Sequence, residues 1–223
     1  MILAIDTSTP VCSVGLEAGG ELFEKRSEVQ GAHSEKLFLF IDELFSEHGI
    51  EAADLDVLLY CDGPGSYTGL RIGAAAIKGL LFETSVPLFT LHSLHSIAVG
   101  AFMANPESGV IHSVIDARRN HLYHQKFRVQ NKLPVPESEP AVREIAEIMT
   151  KTEKGDVLAG TGIERIPVDK TRGIFTIRDN TISALNLIRY YQNPDGKTDF
   201  KKADVAGFEP FYLTMSQVNN STV

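Results

Sequence analysis

The chain has 223 residues, of which 43% are hydrophobic and 22% charged, and its formal net charge is −8. That length buries a core as one domain or as two small lobes, and the composition is that of a globular protein. No apolar run reaches the ~18 residues of a membrane span, and the acidic balance argues against holding nucleic acid unaided, which needs a basic patch.

Residues 2–6, 11–17 and 21–28 read as three strands joined by short turns, with Gly19-Gly20 marking the second turn. A helix is predicted over 33–48, where Leu37, Phe40, Ile41, Leu44 and Phe45 recur at three- and four-residue spacing. A strand at 57–61, a helix at 70–82, a short strand at 88–90 and a helix at 93–103 follow. Strands at 110–116 and 121–129 flank a turn at 117–120. Residues 133–140 hold three prolines and read as a loop or linker. Helices are expected at 141–150 and 182–191, and short strands at 156–159 and 173–176. Residues 193–202 read as a polar loop and 216–223 as a disordered tail. A lobe boundary falls after residue 105, giving lobes 1–105 and 106–223. A three-strand meander followed by alternating helix and strand is the order of a ribonuclease-H-like half. The fold class is therefore α/β, of the actin-like ATPase (ribonuclease-H-like) kind with two lobes. The paired architecture makes the second lobe a degenerate copy of the first by expectation, although no internal repeat is legible in the sequence.

The opening residues lack a basic stretch leading into a long apolar one, which predicts no secretory leader and a cytoplasmic location. Cys12 and Cys61 lie in apolar strand candidates and read as small buried hydrophobes. Asp6 ends a buried strand and is followed by Thr7, Ser8 and Thr9. It reads either as an Asx-type turn or as a carboxylate for water-mediated magnesium contact beside a nucleotide. No Gly-x-x-x-x-Gly-Lys-Ser/Thr string occurs, and Ser66 is not in a Gly-x-Ser-x-Gly context. His92 and His95 are three apart, as are His121 and His124; strand alternation turns the second pair to opposite faces, so no metal site is expected. Arg118 and Arg119 are able to grip phosphate or carboxylate, with a solvated turn as the default. Gly160-Thr161-Gly162 is the one candidate for a second nucleotide-clamping glycine motif.

Residues 62–73 read Asp62-Gly63-Pro64-Gly65-Ser66-Tyr67-Thr68-Gly69-Leu70-Arg71-Ile72-Gly73. Gly63, Pro64 and Gly65 form a tight structural turn between a strand and a helix, with Ser66 or Thr68 as the helix cap. This string resembles the signature of the TsaB family, also called YeaZ. Ile2-Leu3-Ala4-Ile5-Asp6-Thr7-Ser8-Thr9, His33-Ser34-Glu35-Lys36-Leu37, Asp116-Ala117-Arg118-Arg119-Asn120 and Pro210-Phe211-Tyr212-Leu213 are similar to further family segments. Thr214 stands where the family often has a basic residue.

The resemblance implies a non-catalytic scaffold subunit. It would support TsaD, the catalytic subunit, in forming threonylcarbamoyladenosine at position 37 of transfer RNA. TsaE, an ATPase, is the implied third partner, and transfer RNA is met only through the complex. No cofactor is required by this chain; ATP and magnesium are used by the complex. The actin-like relatives imply a nucleotide site at Asp6, Thr7 and Ser8. The helix 70–82 is rich in small residues, and both it and helix 33–48 read as packing on their own sheet, on a partner, or on both. The resemblance implies pairing through these helices, with a copy of the chain or with TsaD. The interface residues are then His33, Leu37, Phe40, Ile41 and Leu44, with Leu70, Gly73, Ala75, Ala76, Ile77 and Gly79. The alternative is an independent enzyme: an actin-like ATPase or kinase, or a metallopeptidase.

Overall fold

The computed structural model describes residues 1–29, 31, 33–167, 172–178 and 181–213. The tail read from sequence at 216–223 lies outside the described residues. Packing divides the chain into two units, one of Met1–Ser93 with Ile182–Phe211, the other built on Leu94–Thr181. The sequence reading draws one boundary, after residue 105; the packing draws two, because the helix beginning at Ser93 joins the second unit and the segment from Ile182 returns to the first.

The first unit is a six-stranded sheet. Its strands are β1 (Ile2–Asp6), β2 (Cys12–Ala18), β3 (Glu21–Ser27), β4 (Val57–Cys61), β5 (Leu88–Leu91) and β12 (Lys201–Ala203), in the order β12-β5-β4-β1-β2-β3. β1, β2 and β3 are antiparallel; β4 and β5 continue parallel to β1. All five residues of β4, Val-Leu-Leu-Tyr-Cys, are buried, as a parallel strand covered on both faces requires. Helix α1 (His33–His48) packs on β2 and β3 through Leu37, Phe40, Ile41 and Leu44, the residues its periodicity marks. Helix α2 (Tyr67–Leu80) packs beside α1. It begins three residues before the predicted start because Ser66 caps it, accepting the Gly69 N–H at 3.2 Å.

Helix α5 (Ala184–Gln192) covers β1 and β2. Ser13 Oγ on β2 accepts the Ala184 N–H at 2.7 Å, and the Ser13 and Ser183 hydroxyls both donate to Glu24 Oε1 on β3, each at 2.7 Å. The first free N–H of α5 thus finds its acceptor on the sheet, while Ser183 caps the helix by accepting the Leu185 N–H at 3.2 Å.

In the second unit the sheet runs β11-β10-β6-β7-β8, from β6 (Val110–Asp116), β7 (His121–Gln130), β8 (Leu133–Pro136), β10 (Val157–Ala159) and β11 (Phe175–Ile177); β9 (Ala141–Glu144) also pairs with β7. β6, β7 and β8 are antiparallel, whereas β10 and β11 run parallel to β6. The order third-second-first-fourth-fifth therefore occurs twice in the chain. It is the ribonuclease-H-like order, and its doubling is the basis of the actin-like ATPase fold. The second copy is degenerate: its third strand is split into β8 and β9, α4 (Ile145–Lys151) has one turn or two, and a short 3-10 turn at Thr161–Arg165 follows β10 where the first copy has α2. Helix α3 (Ser93–Ala104) is buried from Ser93 to Ala101, as a helix apolar on all sides must be.

Three sequence expectations are corrected. Residues 133–136 are a strand, and its prolines are tolerated because β8 is an edge that pairs on one side only. Residues 141–144 are β9 rather than helix, since their backbone completes the ladder on His121–His124 before the chain turns into α4. Lys201–Ala203, read as loop, is the edge strand β12, made by its partner β5 rather than by its own polar sequence.

A buried polar chain crosses the second sheet. His124 on β7 and His112 on β6 meet at 2.9 Å (Nε2 to Nδ1), and His112 Nε2 reaches Asp156 Oδ2 at 3.1 Å. With both rings neutral, as burial favours, His112 Nε2 donates to the carboxylate and His112 Nδ1 accepts the His124 Nε2–H. Burial lowers both histidines, His124 to about 3, and Asp156 works against the shift at His112. Groups depressed in the folded state contribute stability above their unfolded value near 6.5, and that contribution is lost as the pH falls toward 3. Urea unfolding is expected to show stability falling below pH 6 with a slope approaching about 1.4 kcal/mol per pH unit from His124, to which His112 adds in the same direction. His124→Gln removes the His124 share of that slope; an unchanged slope in this variant refutes the assignment.

Candidate functional site

In open α/β sheets the carboxyl ends of the parallel strands are the usual place for ligands. Here β1, β4 and β5 end at Asp6, Cys61 and Leu91. Asp6 is only 2% exposed. Its Oδ1 accepts the Ser8 backbone N–H at 2.9 Å and the Ser8 hydroxyl at 2.7 Å, which is an Asx-type turn. Burial raises the Asp6 carboxyl above the ordinary carboxylate range, opposed by the Ser8 hydrogen bonds. Cys12 and Cys61 are free and buried, and burial pushes the Cys12 thiol up to about 12.

The signature turn closes over Asp6, Thr7 and Ser8. The Ser66 N–H donates to the Ser8 carbonyl at 2.7 Å. Gly65, Gly69 and Gly73 follow at intervals of four and approach the β1–β2 turn as one stripe. A Cβ at Gly65 would fall on the Ser8 carbonyl oxygen, one at Gly69 on the Thr7 carbonyl oxygen, and one at Gly73 on the Tyr60 and Thr7 hydroxyls. The Tyr60 hydroxyl donates to the Leu70 carbonyl at 2.9 Å and lies 3.3 Å from Thr7 Oγ1. His33 Nε2 meets the Thr9 carbonyl at 2.8 Å, which ties the first residue of α1 to the same turn.

The other side of the turn holds the end of the described chain. The Gly63–Pro64 peptide is cis, and Gly63 has φ 118°. The Phe211 N–H donates to the Asp62 carbonyl at 2.7 Å, and the Phe211 carbonyl occupies the space that a Cβ on Gly63 would need. His92 Nδ1 lies 2.8 Å from Asp62 Oδ1, and its ring is 4.7 Å from that of Phe211. Phe208 meets Tyr60 edge-on at 5.7 Å. Sequence reading missed this strap of 208–211; the one signal for it was the family-like segment beginning at Pro210.

The remaining candidates separate. His92 pairs with Asp62, and His95 packs on Phe127 in the second unit at 5.1 Å. His124 pairs with His112 and not with His121. Gly160 and Gly162 sit against Val114, with Leu122 beside Gly162, so this glycine pair serves the second unit's core. Of the residues read as a partner interface, Ala75 and Gly79 are exposed. His33, Leu37, Phe40, Ile41, Leu44, Leu70, Gly73, Ala76 and Ile77 are buried within their own unit. Phe38 and Leu39 on α1 and Phe82, past the end of α2, are also 55%, 43% and 73% exposed. An open cleft of about 750 Å³ lies at the opposite end of β5, between Lys78–Leu88 and Lys202–Ala206. Asp6, Thr7 and Ser8 do not line it.

The family model described as TsaD, tRNA N6-adenosine threonylcarbamoyltransferase, matches residues 27–206. A curated protein of Escherichia coli, the tRNA threonylcarbamoyladenosine biosynthesis protein TsaB, is 30% identical over 186 residues, covering 81% of this chain and 80% of that protein. The chain belongs to the TsaB branch of the TsaD family. The protein of the same name from Haemophilus influenzae is 36% identical over 122 residues, which is 55% of this chain and 51% of that protein. The solved structure of YeaZ from Pseudomonas aeruginosa has the same fold, with a TM-score of 0.79 at 23% identity over 95% of this chain and 99% of that one. No helix among the described residues is long and apolar enough to cross a membrane.

The glycine stripe gives a paired test. Gly65→Ala must displace backbone and is expected to cost about 3 kcal/mol in denaturant unfolding. Gly79→Ala meets nothing within 4 Å and is expected to stabilise α2 by about 0.5–1 kcal/mol. Equal effects at the two positions refute the close approach.

Proposed function

We propose that this chain is a non-catalytic subunit acting in threonylcarbamoyladenosine formation on transfer RNA. Two of the relatives that it matches are named for that pathway, and its domain family is named for the transferase. The observation that carries the non-catalytic part is the closed turn. Asp6 is buried and bonded to Ser8, and Ser8 is bonded to Ser66, so the carboxylate has no open face toward a ligand. A nucleotide at Asp6, Thr7 and Ser8 would require this turn to open. The chain on this reading needs no cofactor, works in the cytoplasm, and leaves ATP and magnesium to the complex. TsaD is its catalytic partner, TsaE the ATPase, and transfer RNA reaches it through that complex.

Pairing is assigned to the outward faces of α1 and α2, with a second copy of the chain when alone and with TsaD in the complex. Ala75 and Gly79 give a close approach, and Phe38, Leu39 and Phe82 supply apolar area. The buried residues of both helices hold these faces from beneath.

Two outcomes are expected. The purified chain alone turns over negligible ATP; magnesium-dependent turnover lost in Asp6→Ala would instead support the independent-enzyme reading. Ala75→Glu leaves circular dichroism unchanged but places an unpaired charge at the contact, weakening self-pairing and TsaD pairing at least about a hundredfold. Light scattering reads the mass, and threonylcarbamoyl transfer by the reconstituted set falls with it. Ala76→Arg is not a test of pairing, because Ala76 is 1% exposed and the charge would strike the chain's own core. A folded Ala75→Glu protein that pairs like the parent rejects this face.

A further inference from the structure

The hairpin between β6 and β7 ends in two arginines whose backbone is unusual. Arg118 has φ 69° and Arg119 has φ 53°, consecutive left-handed conformations that glycine and asparagine adopt far more readily. The hairpin demands the geometry, but it does not demand arginine: an Asn-Gly pair would relieve the strain. Both side chains are exposed. Among the described residues, neither guanidinium has an ion-pair partner.

The tip is held rigidly from below. Asp116 Oδ1 accepts the Arg118 N–H at 2.7 Å. Arg165 Nη1 donates to both Asp116 oxygens, at 2.8 and 3.0 Å, and its Nη2 donates to the Arg119 carbonyl. The Ala117 N–H donates to the His121 carbonyl at 3.2 Å, and the His121 N–H returns to the Arg118 carbonyl at 3.1 Å. Asp116 thus answers the charge of Arg165 and fixes the loop, leaving the two tip arginines free to meet an outside anion. Strain of this kind persists where the surroundings over-determine it, and it gathers at functional positions.

We propose that the Arg118–Arg119 tip is a phosphate-gripping contact for the RNA backbone. This inference rests on the proposed function, which supplies RNA as the ligand. Planar guanidinium forks match phosphate oxygens in pairs. A chain of net charge −8 repels RNA at long range, so the contact is local and acts on RNA already held by the partner. It positions the RNA without reading its sequence.

The test uses a labelled transfer-RNA transcript titrated with the full chain assembled with TsaD, read by fluorescence anisotropy at ~50 to 200 mM salt. Arg118→Asn with Arg119→Gly keeps the turn and removes both charges. This double variant is expected to melt at or above the parent temperature. It is expected to bind RNA about tenfold more weakly at low salt, with a slope of log affinity against log salt shallower by about 2. Arg118→Lys with Arg119→Lys is expected to keep most of the slope. Parent-like affinity and slope in the Asn-Gly variant overturn the proposal, as does RNA binding too weak to measure in the parent assembly. Loss of TsaD from the variant assembly, with RNA affinity of each remaining assembly unchanged, assigns the tip to a protein contact and also overturns it. The proposed function fails separately, if the parent set modifies RNA equally well without this chain.

Discussion

The first unit depends on one close approach of backbone to backbone. The carbonyls of Thr7 and Ser8 lie where side chains at 65 and 69 would stand, and the hydroxyls of Thr7 and Tyr60 fill the place of a side chain at 73. Three glycines on one stripe make that possible. Because α2 is seated there, its cap at Ser66, its contact with α1 and the Tyr60 hydrogen bond to Leu70 are all consequences of the same contact. His33 adds α1 to the same point through the Thr9 carbonyl. Two helices and two strand ends are therefore fixed relative to one turn of four residues.

That arrangement changes what the residues at the end of β1 do. In an open site, a buried carboxylate followed by hydroxyls would be available to a ligand's charge. Here Asp6 orders its own loop, and the loop orders the signature turn. The carboxylate and hydroxyls at this position form a joint between β1 and the signature turn. On the proposed pairing, exposed Phe38 and Leu39 on α1 and Phe82, just past the end of α2, would meet a partner from elements anchored to this turn. A surface so preorganised loses less freedom on binding a partner.

The sequence made the regular parts legible. Helix α1 announces itself by Leu37, Phe40, Ile41 and Leu44, and β4 by five apolar residues between polar flanks. What escaped was structure made by long-range partners. Pro134 and Pro136 look like loop residues until β7 supplies an edge for them to lie along. Lys201 and Lys202 carry no strand signal of their own, and only β5 makes them one. Small residues in α2 read as room for a foreign helix, but Gly69 and Gly73 make room for Thr7, far away in sequence, and Gly73 also for Tyr60 of the preceding strand. The His112–His124 contact was hidden for a related reason: the two lie on different strands, diagonally offset by two residues on a shared face. Phe211 could be flagged by similarity but not placed, because its partners are Asp62 and His92.

Each half of the chain gives its last helix to the other unit: α3 follows β5 but belongs to the second, and α5 follows β11 but belongs to the first. This crossing has a meaning for biosynthesis. When Ser93 leaves the ribosome, every strand of the first sheet except β12 has been made, yet β1 and β2 still lack the helix that covers them. At ordinary rates of translation, on the order of ten seconds pass before Phe211 appears. Throughout that interval the nascent chain carries an uncovered apolar sheet face, where Gly15 waits for Ala184 and Leu185. The first unit cannot close ahead of the second, because its α5 and β12 are made only after residues 94–181.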